Sequence, residues 1–204
     1  MKVHTNKKSS INIDARAGEI YQCAAELIVQ KGFGHATIAD IAQKVKMTKA
    51  GLYYYISSKQ DMLYRIMKYA MDVVESGIVQ PTQAIVDPEQ RLREIIRCHA
   101  RELIKRGLTI SVLLAEMNHL EPAQREKIMA RKQAYVSFVQ ETIEQVQAQG
   151  KLRELPVELA TQHLLSTLRG IAVWYPLATD VNLDKAVESA MTFILGGLLK
   201  QTDH

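Results

Sequence analysis

Apolar residues recur every three or four positions along most of the chain, and no long segment alternates apolar and polar residues as a strand would. This spacing predicts an all-α fold of about nine helices. The first helix is expected from about Asp14 to Lys31, and the last from about Asn182 to Leu199. Three helices in between are predicted to begin at a proline in the first helical position, namely at Pro88, Pro122 and Pro156.

Interruptions of the apolar spacing indicate where helices end. Gly77 and Pro81 interrupt it after the predicted fourth helix, and Gly107 interrupts it after the helix that follows. We therefore expect a seam between domains near residues 77–87. Beyond Gly107, residues 108–118 are predicted to form a separate short helix.

Residues 37–63 are expected to contain a helix, a tight turn and a second helix, within the dimensions of a DNA-binding helix-turn-helix. Thr37 and Asp40 form a capping-box pattern ahead of the first helix, and the second helix is expected to begin near Thr48. This segment predicts a DNA-reading domain.

At 100° per residue, the second helix of this segment has a packed side and a reading side. The packed side holds Leu52, Tyr55 and Ile56. The reading side holds Ala50 and Tyr54, flanked by Gly51 and Tyr53. Small residues there would let the backbone approach base edges. The tyrosines would offer hydroxyls to phosphates and flat faces to sugars or thymine methyls.

The positive charge of the chain is concentrated in its N-terminal third. The net charge of the 204 residues is +4. Residues 1–68 hold eleven Lys and Arg against five Asp and Glu, a net +6, and residues 69–204 hold fifteen against seventeen, a net −2. This asymmetry favours a polyanionic partner for the first third. Lys46 at the turn, Lys49 at the second helix and Lys59 at the fourth are the candidate phosphate contacts.

The residues of this segment resemble the N-terminal domain of the TetR (tetracycline repressor) family. The matching positions are Thr37, Ile41, Ala42, Val45, Thr48, Leu52, Tyr53, Tyr55, Ser58, Lys59 and Leu63. The sequence departs from the family pattern where Lys46 and Met47 replace a Gly-Val pair, where Ala50 and Gly51 reverse the usual order, and where Ile56 replaces an aromatic residue.

The resemblance implies roles for individual residues and an organisation for the whole chain. It implies phosphate contacts by Thr37, Thr48, Lys49, Tyr53 and Lys59, and approach to the bases by Ala50, Gly51 and Tyr54. The expected organisation is a mobile basic arm at residues 1–12, a DNA-binding domain at 13–60, and a helical ligand-binding and dimerisation domain at 61–204.

The last two predicted helices are apolar around much of their circumference, so they need covering on more than one side. A second copy of the chain would supply that cover, and the resemblance implies the same homodimer. Arg169 interrupts an apolar run, and it would be a counter-ion for an acidic ligand or the partner of a Glu in this chain. Trp174, Asn118 and His119 are the other candidate ligand contacts.

The expected function is that of a cytoplasmic, ligand-responsive repressor of a palindromic operator. The end of the penultimate helix is similar to TetR branches that sense fatty-acyl-CoA or related CoA thioesters. The alternatives are a lipophilic cation held by Glu94, Glu102 or Glu116, and a DNA-binding protein without an effector. A helical enzyme is the third alternative, but no motif nominates catalytic residues. We expect no metal, no cofactor and no membrane span.

Overall fold

A computed structural model of the chain describes residues 7–174 and 182–200, with the backbone alone at 7–15 and 172–174. Within these residues the fold is all-α, as predicted. The helices are α1 (Lys7–Lys31), α2 (Ile38–Lys44), α3 (Lys49–Tyr53), α4 (Lys59–Val74), α5 (Gln80–Thr82), α6 (Pro88–Ala115), α7 (Pro122–Ala148), α8 (Val157–Trp174) and α9 (Leu183–Leu198). A lone antiparallel bridge joins Leu152 to Leu199 in the described part.

Helix α1 begins at Lys7, so the predicted start at Asp14 was wrong. The stretch KKSSINI that precedes Asp14 contains no proline and no glycine, and nothing in it prevents a helix from extending toward the N-terminus. The second half of the predicted basic arm, residues 7–12, is therefore helical.

The predicted helix starts depend on side-chain caps, and the structure forms them. Asn182 accepts a hydrogen bond from the N–H of Asp184 at the start of α9, at 2.8 Å. At the start of α4, Ser58 Oγ accepts from the N–H of Asp61 at 2.9 Å, and the Asp61 carboxylate accepts from the N–H of Ser57 at 2.8 Å. A regular capping box would have the Asp61 carboxylate accept from the N–H of Ser58. Here it accepts from the N–H of Ser57, one residue earlier.

The chain does not break at Gly77, contrary to the sequence prediction. A π-helical turn, Glu75–Val79, continues α4 into α5. A Cβ atom at Gly77 would lie 3.2 Å from the side chain of Glu102, so the glycine makes room for α6. Pro81 has no N–H to donate to a carbonyl of the preceding turn. The wider π-helical turn directly before it accommodates this missing hydrogen bond.

Helix α6 also runs through the predicted break at Gly107. Next to Gly107 the helix is kinked, with Arg106 at φ −138° and ψ 20°. Beyond this kink the helix continues to Ala115. A short 3-10 turn, Met117–His119, follows. The predicted separate helix at residues 108–118 is therefore the last part of α6 and this turn.

The chain divides into two compact units. The first unit comprises the residues up to Ala70 together with Leu108–Arg125, and the second comprises Met71–Gly107 and the residues from Glu126 onward. In the first unit α1 packs on α2, and α2 packs on α3. The predicted apolar faces are buried there, at Ile20, Ala24, Leu27, Ile28, Ile41, Ala42, Val45, Leu63, Ile66, Met67 and Ala70.

The second unit contains α8 packed on α9 and a core that α6 and α7 share. That core holds a polar pair: the Tyr135 hydroxyl and His99 Nδ1 lie 2.8 Å apart, and both residues are buried. Burial lowers the pKa of His99 to about 4, so the imidazole is neutral at cellular pH. The same burial raises the pKa of Tyr135 and keeps its hydroxyl protonated.

Because His99 gains a proton more readily when the chain is unfolded, it makes stability depend on pH. The folded pKa lies below the ordinary value of 6.5, so this group lowers stability as the pH falls from about 6.5 to about 4. Between pH 7 and pH 5 we expect a loss of about 2 kcal/mol per chain from this residue. Urea unfolding at both pH values measures it.

The His99→Gln variant is the matched control, because its amide can still bond the Tyr135 hydroxyl but does not titrate. We expect the free energy of unfolding of His99→Gln to change less between pH 7 and pH 5 than that of the unsubstituted chain. Equal pH dependence in the two proteins would show that His99 is not buried as a neutral group.

Candidate functional site

The turn between α2 and α3 is closed by two backbone hydrogen bonds that reach back into α2. The N–H of Met47 bonds the carbonyl of Ala42 at 2.9 Å, and the N–H of Lys46 bonds that of Gln43 at 3.1 Å. This is the Schellman arrangement, which requires a left-handed residue after the helix. Lys46 occupies that position with φ 55°, in a conformation that favours glycine. The turn therefore holds a lysine under backbone strain and presents it to solvent.

Arg16 of α1 fixes this turn in place. Its Nη2 donates to the carbonyl of Val45 at 2.9 Å, and its Nη1 pairs with Glu19 at 2.6 Å. The carbonyl of Val45 lies at the C-terminal end of α2, where carbonyls lack helical partners and a cation is favourable. The sequence prediction did not include Arg16. Its spacing from Val45 gives no local signal of this contact.

Helix α3 begins at Lys49 with Thr48 as its N-cap, in agreement with the start predicted near Thr48. Thr48 Oγ1 accepts from the N–H of Gly51 at 3.0 Å. A Cβ atom at position 51 would lie 3.2 Å from that same oxygen and 3.4 Å from Met47 Cε. Gly51 therefore leaves room for the cap of its own helix, in addition to any close approach to DNA.

The two sides of α3 and the turn after it differ in exposure as the angular pattern predicted. Leu52 and Ile56 are buried, and Tyr55 is half-buried. Tyr53 is 51% exposed and Tyr54 is 76% exposed. The rings of Tyr54 and Tyr55 meet edge to face, with centroids 5.4 Å apart, so Tyr55 orients the exposed ring beside it.

The positive charges around this surface fall into two groups. Lys46 and Lys49 are exposed next to the tyrosines, as is Ala50. Lys44 and Lys31 are instead paired with carboxylates: Lys44 lies 3.0 Å from Glu26, and Lys31 lies 3.3 Å from Asp40.

Lys59 is held by the chain itself. Its Nζ donates to the carbonyl of Gly34 at 2.9 Å and lies 4.6 Å from the centroid of the Phe33 ring. Such a contact with an aromatic face stabilises the ammonium where it is. Lys59 thus fixes the loop before α2, and its remaining N–H groups can still point to a phosphate.

Thr37 forms the predicted capping box. Its Oγ1 accepts from the N–H of Asp40, and its own N–H donates to the Asp40 carboxylate, both at 3.1 Å. The hydrogen bond from this N–H is the largest cause that holds the pKa of Asp40 below its ordinary value. Thr37 is exposed, so its hydroxyl proton faces solvent while its oxygen caps α2.

The second unit contains a chamber of about 150 Å³ between the end of α4 and α7. Its lining is mainly apolar, with three residues that carry polar groups. The lining residues are Met71, Val74, Glu75, Val79, Arg131, Ala134, Tyr135 and Phe138. The Arg131 guanidinium also bonds Asp72 Oδ1 at 2.8 Å.

The predicted ligand residues lie elsewhere in the described chain. Asn118 and His119 are exposed on the Met117–His119 turn of the first unit. There the His119 ring packs against Phe33, with centroids 5.2 Å apart, and its carbonyl accepts from Gln60. Arg169 is exposed on α8 of the single chain and is not among the residues that line the chamber. The side chain of Trp174 lies outside the described residues.

The acidic residues of the cationic alternative are not in the chamber lining either. Each of the three pairs with a basic residue on its own helix or turn: Glu94 with Arg97, Glu102 with Arg106, and Glu116 with His119.

An apolar surface remains exposed on α8 and α9. Leu159 is 53% exposed and Phe193 is 73% exposed. Phe193 also borders an open groove of about 330 Å³ whose walls include Leu164 and Leu198. Exposed apolar surface of this kind is typical of an interface between protein chains.

The whole-chain pattern matches two family models. One describes bacterial regulatory proteins of the tetR family and matches residues 20–66. The other describes the tetracyclin repressor-like C-terminal domain and matches residues 86–198. The chain belongs to the TetR family. TetR regulators bind operator DNA, dimerise and bind small effectors, so its partners are an operator duplex, a second copy and a small molecule.

Named relatives agree with this membership. The structure of AibR in complex with isovaleryl coenzyme A and operator DNA is 30% identical, with a TM-score of 0.74, over 87% of this chain and 97% of that one. The transcriptional activator FasR of Mycolicibacterium smegmatis is 24% identical over 91% of this chain and 84% of its own length. The fatty acid metabolism regulator protein of Bacillus subtilis is 20% identical, covering 88% and 94%. Both of these curated relatives are named as regulators.

Within the described residues, no helix is both long and apolar enough to cross a bilayer.

The strain at Lys46 gives a test of this TetR turn. Lys46→Gly removes the left-handed penalty, so we expect stability to rise by about 1 kcal/mol in urea unfolding at matched protein concentration. Lys46→Ala keeps a Cβ atom, and its stability should stay near that of the unsubstituted chain. Both variants lose the same charge, so both should reduce the salt dependence of binding to random duplex DNA by about one unit of slope. Equal stability of the Gly and Ala variants would contradict the strained turn.

Proposed function

We propose that this TetR regulator is a cytoplasmic repressor, without enzymatic activity, that leaves a palindromic operator when a small lipophilic effector binds. The exposed face of α3 carries this proposal, because two large tyrosines stand in solvent beside the exposed side chains of Lys46 and Lys49. Burying such rings would stabilise the chain, so their exposure needs a partner outside it.

In the proposed complex, Tyr54, Ala50 and Gly51 approach the bases in the major groove. Tyr53, Thr37 and Thr48 donate hydroxyl protons to phosphates, while Lys46, Lys49 and Lys59 supply positive charge. The hydroxyls suit this task because the oxygens of Thr37 and Thr48 already cap helices and leave their protons for an acceptor.

The proposed operator has two half-sites because the regulator is a dimer. The exposed apolar faces of α8 and α9, with Phe193 and Leu159, would form the interface between copies. Two α3 helices, one from each copy, would fit half-sites about 34 Å apart on one duplex, or a multiple of that spacing. An effector then acts by favouring a dimer in which the spacing or orientation of the two α3 helices does not match the half-sites.

The proposed effector is a fatty-acyl-CoA or another CoA thioester. Two observations support this class: AibR is named as a complex with isovaleryl coenzyme A, and a second relative is named as a regulator of fatty acid metabolism. A lipophilic cation has weaker support, because Glu94, Glu102 and Glu116 are each paired within the chain. A regulator without an effector has weaker support because the second unit contains the chamber.

Selection of duplexes from a random DNA library, followed by fluorescence anisotropy, tests the proposal. We expect one palindromic sequence to be enriched, and a CoA thioester to weaken its binding by about 5- to 150-fold, the range of typical allosteric coupling. Free CoA and a cationic dye are the controls and should leave the affinity unchanged. Release by the dye alone would favour the cationic alternative, and release by neither would favour a regulator without an effector.

A further inference from the structure

Residues far along the chain complete the compact unit that contains α3. Leu108–Arg125 belong to one unit with the residues up to Ala70. Leu120 of this segment is buried, so the segment contributes to the core of the unit and does not lie loosely on its surface. Directly before Leu120, the turn Met117–His119 contacts the residues on either side of Lys59 and its aromatic partner. This turn can therefore affect the arrangement of the proposed DNA-binding surface.

Two groups contact the ring of Phe33, which is itself buried. The Nζ atom of Lys59 lies 4.6 Å from the ring centroid. The imidazole centroid of His119 lies 5.2 Å from the same centroid, with 47° between the two ring planes. Contacts between two aromatic rings, and between an ammonium and a ring, both favour particular relative orientations. The orientation of Phe33 therefore links the position of His119 to that of Lys59.

The His119 residue is held in place by its own neighbours. Glu116 Oε2 lies 3.0 Å from His119 Nδ1, and the N–H of His119 donates to the carbonyl of Glu116 at 3.0 Å. The side-chain amide of Gln60 donates to the carbonyl of His119. Gln60 follows Lys59 in the first turn of α4, so a hydrogen bond joins the Met117–His119 turn directly to the helical turn that carries the ammonium.

The contacts of His119 concern position more than stability. Its side chain is 54% exposed, so removing it takes little apolar area out of the core. Exposed polar contacts also contribute little to the free energy of folding. The Lys59 ammonium has three N–H donors, and one of them bonds the carbonyl of Gly34 at 2.9 Å. The direction of the other two donors depends on where the contacts with Gly34 and Phe33 hold the Nζ atom.

We propose that His119 is a positioning residue for DNA binding: it holds the Phe33 ring so that the Lys59 ammonium directs its remaining N–H groups to a phosphate. This inference rests on the proposed role of Lys59 at the operator and adds to it a residue 60 positions later in the chain. An ammonium that is already in position loses less side-chain entropy on binding than a free one. Since phosphate contacts carry no sequence information, the effect is the same for any duplex.

A double-mutant cycle tests whether His119 acts through Lys59. The variants of the full chain are His119→Ala, Lys59→Met and the two combined; the methionine keeps an apolar stem against Phe33 and removes the ammonium. Fluorescence anisotropy measures the affinity for the selected operator and for a random duplex. We expect His119→Ala to weaken both by about three-fold or more, and to weaken neither further in the Lys59→Met background. It should also make the slope of log affinity against log salt shallower, by up to about one unit.

The matched control is His119→Phe. This variant keeps an aromatic ring against Phe33 but has no imidazole nitrogen that could bind a phosphate. We expect its affinities for both duplexes to stay near those of the unsubstituted chain. Circular dichroism melting confirms that each variant is folded. If His119→Ala does not fold, Gln60→Ala, which removes the donor to the His119 carbonyl, takes its place in the cycle with the same expected result.

The remaining outcomes separate the inference from the proposed function. Equal weakening by His119→Ala in both backgrounds, without restoration by His119→Phe, would identify a direct contact of His119 with DNA and overturn the positioning role. No weakening by His119→Ala, while Lys59→Met does weaken binding, would also overturn it and leave the proposed function intact. If Lys59→Met has no effect, the Lys59 contact and the inference are overturned together, and the reading face of α3 is not. If the unsubstituted chain selects no duplex, the proposed function itself is overturned.

Discussion

The geometry of the turn between α2 and α3 is the constraint on which the reading surface depends. A left-handed Lys46 lets the chain reverse in three residues, and the Arg16 guanidinium holds the carbonyl of Val45 just before it. With that turn fixed, the cap at Thr48 sets the first residue of α3 and so the rotation of the helix about its axis. Leu52 then faces the core and Tyr54 faces solvent. A change in the turn would rotate every residue on the exposed face of α3.

Much of the fold could be predicted because its signals are local. A threonine three residues before an aspartate, or an apolar residue every third or fourth position, depends only on neighbours along the chain. For this reason the capping box of Thr37 and the two sides of α3 are present as predicted. The TetR family resemblance stands on those same residues and is confirmed by matches over most of the chain.

The sequence predictions failed where a contact with a residue far along the chain determines the local structure. Gly77 was predicted to end a helix, but its missing side chain makes room for Glu102, 25 positions away. Arg169 interrupts an apolar run of the sequence, whereas Arg131 carries no such signal, and its place in the chamber lining beside Met71 and Val74 comes from contacts between distant parts of the chain. Lys59 matched a family position, yet its contacts with Gly34 and Phe33 could not be read from spacing. Contacts at long sequence separation carry no periodic signal.

The two compact units have different chemistry. The first presents exposed aromatic and positive groups on a short helix, which suits a charged and ordered polymer. The second contains buried apolar residues and a neutral Tyr135–His99 pair, with Tyr135 in the lining of a chamber of about 150 Å³. Helix α4 belongs to both units, with Lys59 at its first turn and Val74 at its last. The chain therefore passes from one unit to the other within this helix.

Site-specific photocrosslinking tests the central claim, that the exposed face of α3 reads DNA. A benzophenone amino acid at position 54 replaces a side chain that is 76% exposed, and the same group at Met129 on α7, 45% exposed, is the control. The account predicts that irradiation with the selected operator crosslinks position 54 and not position 129, and that excess unlabelled operator abolishes the product. No product at position 54, or equal products at both positions, would contradict it.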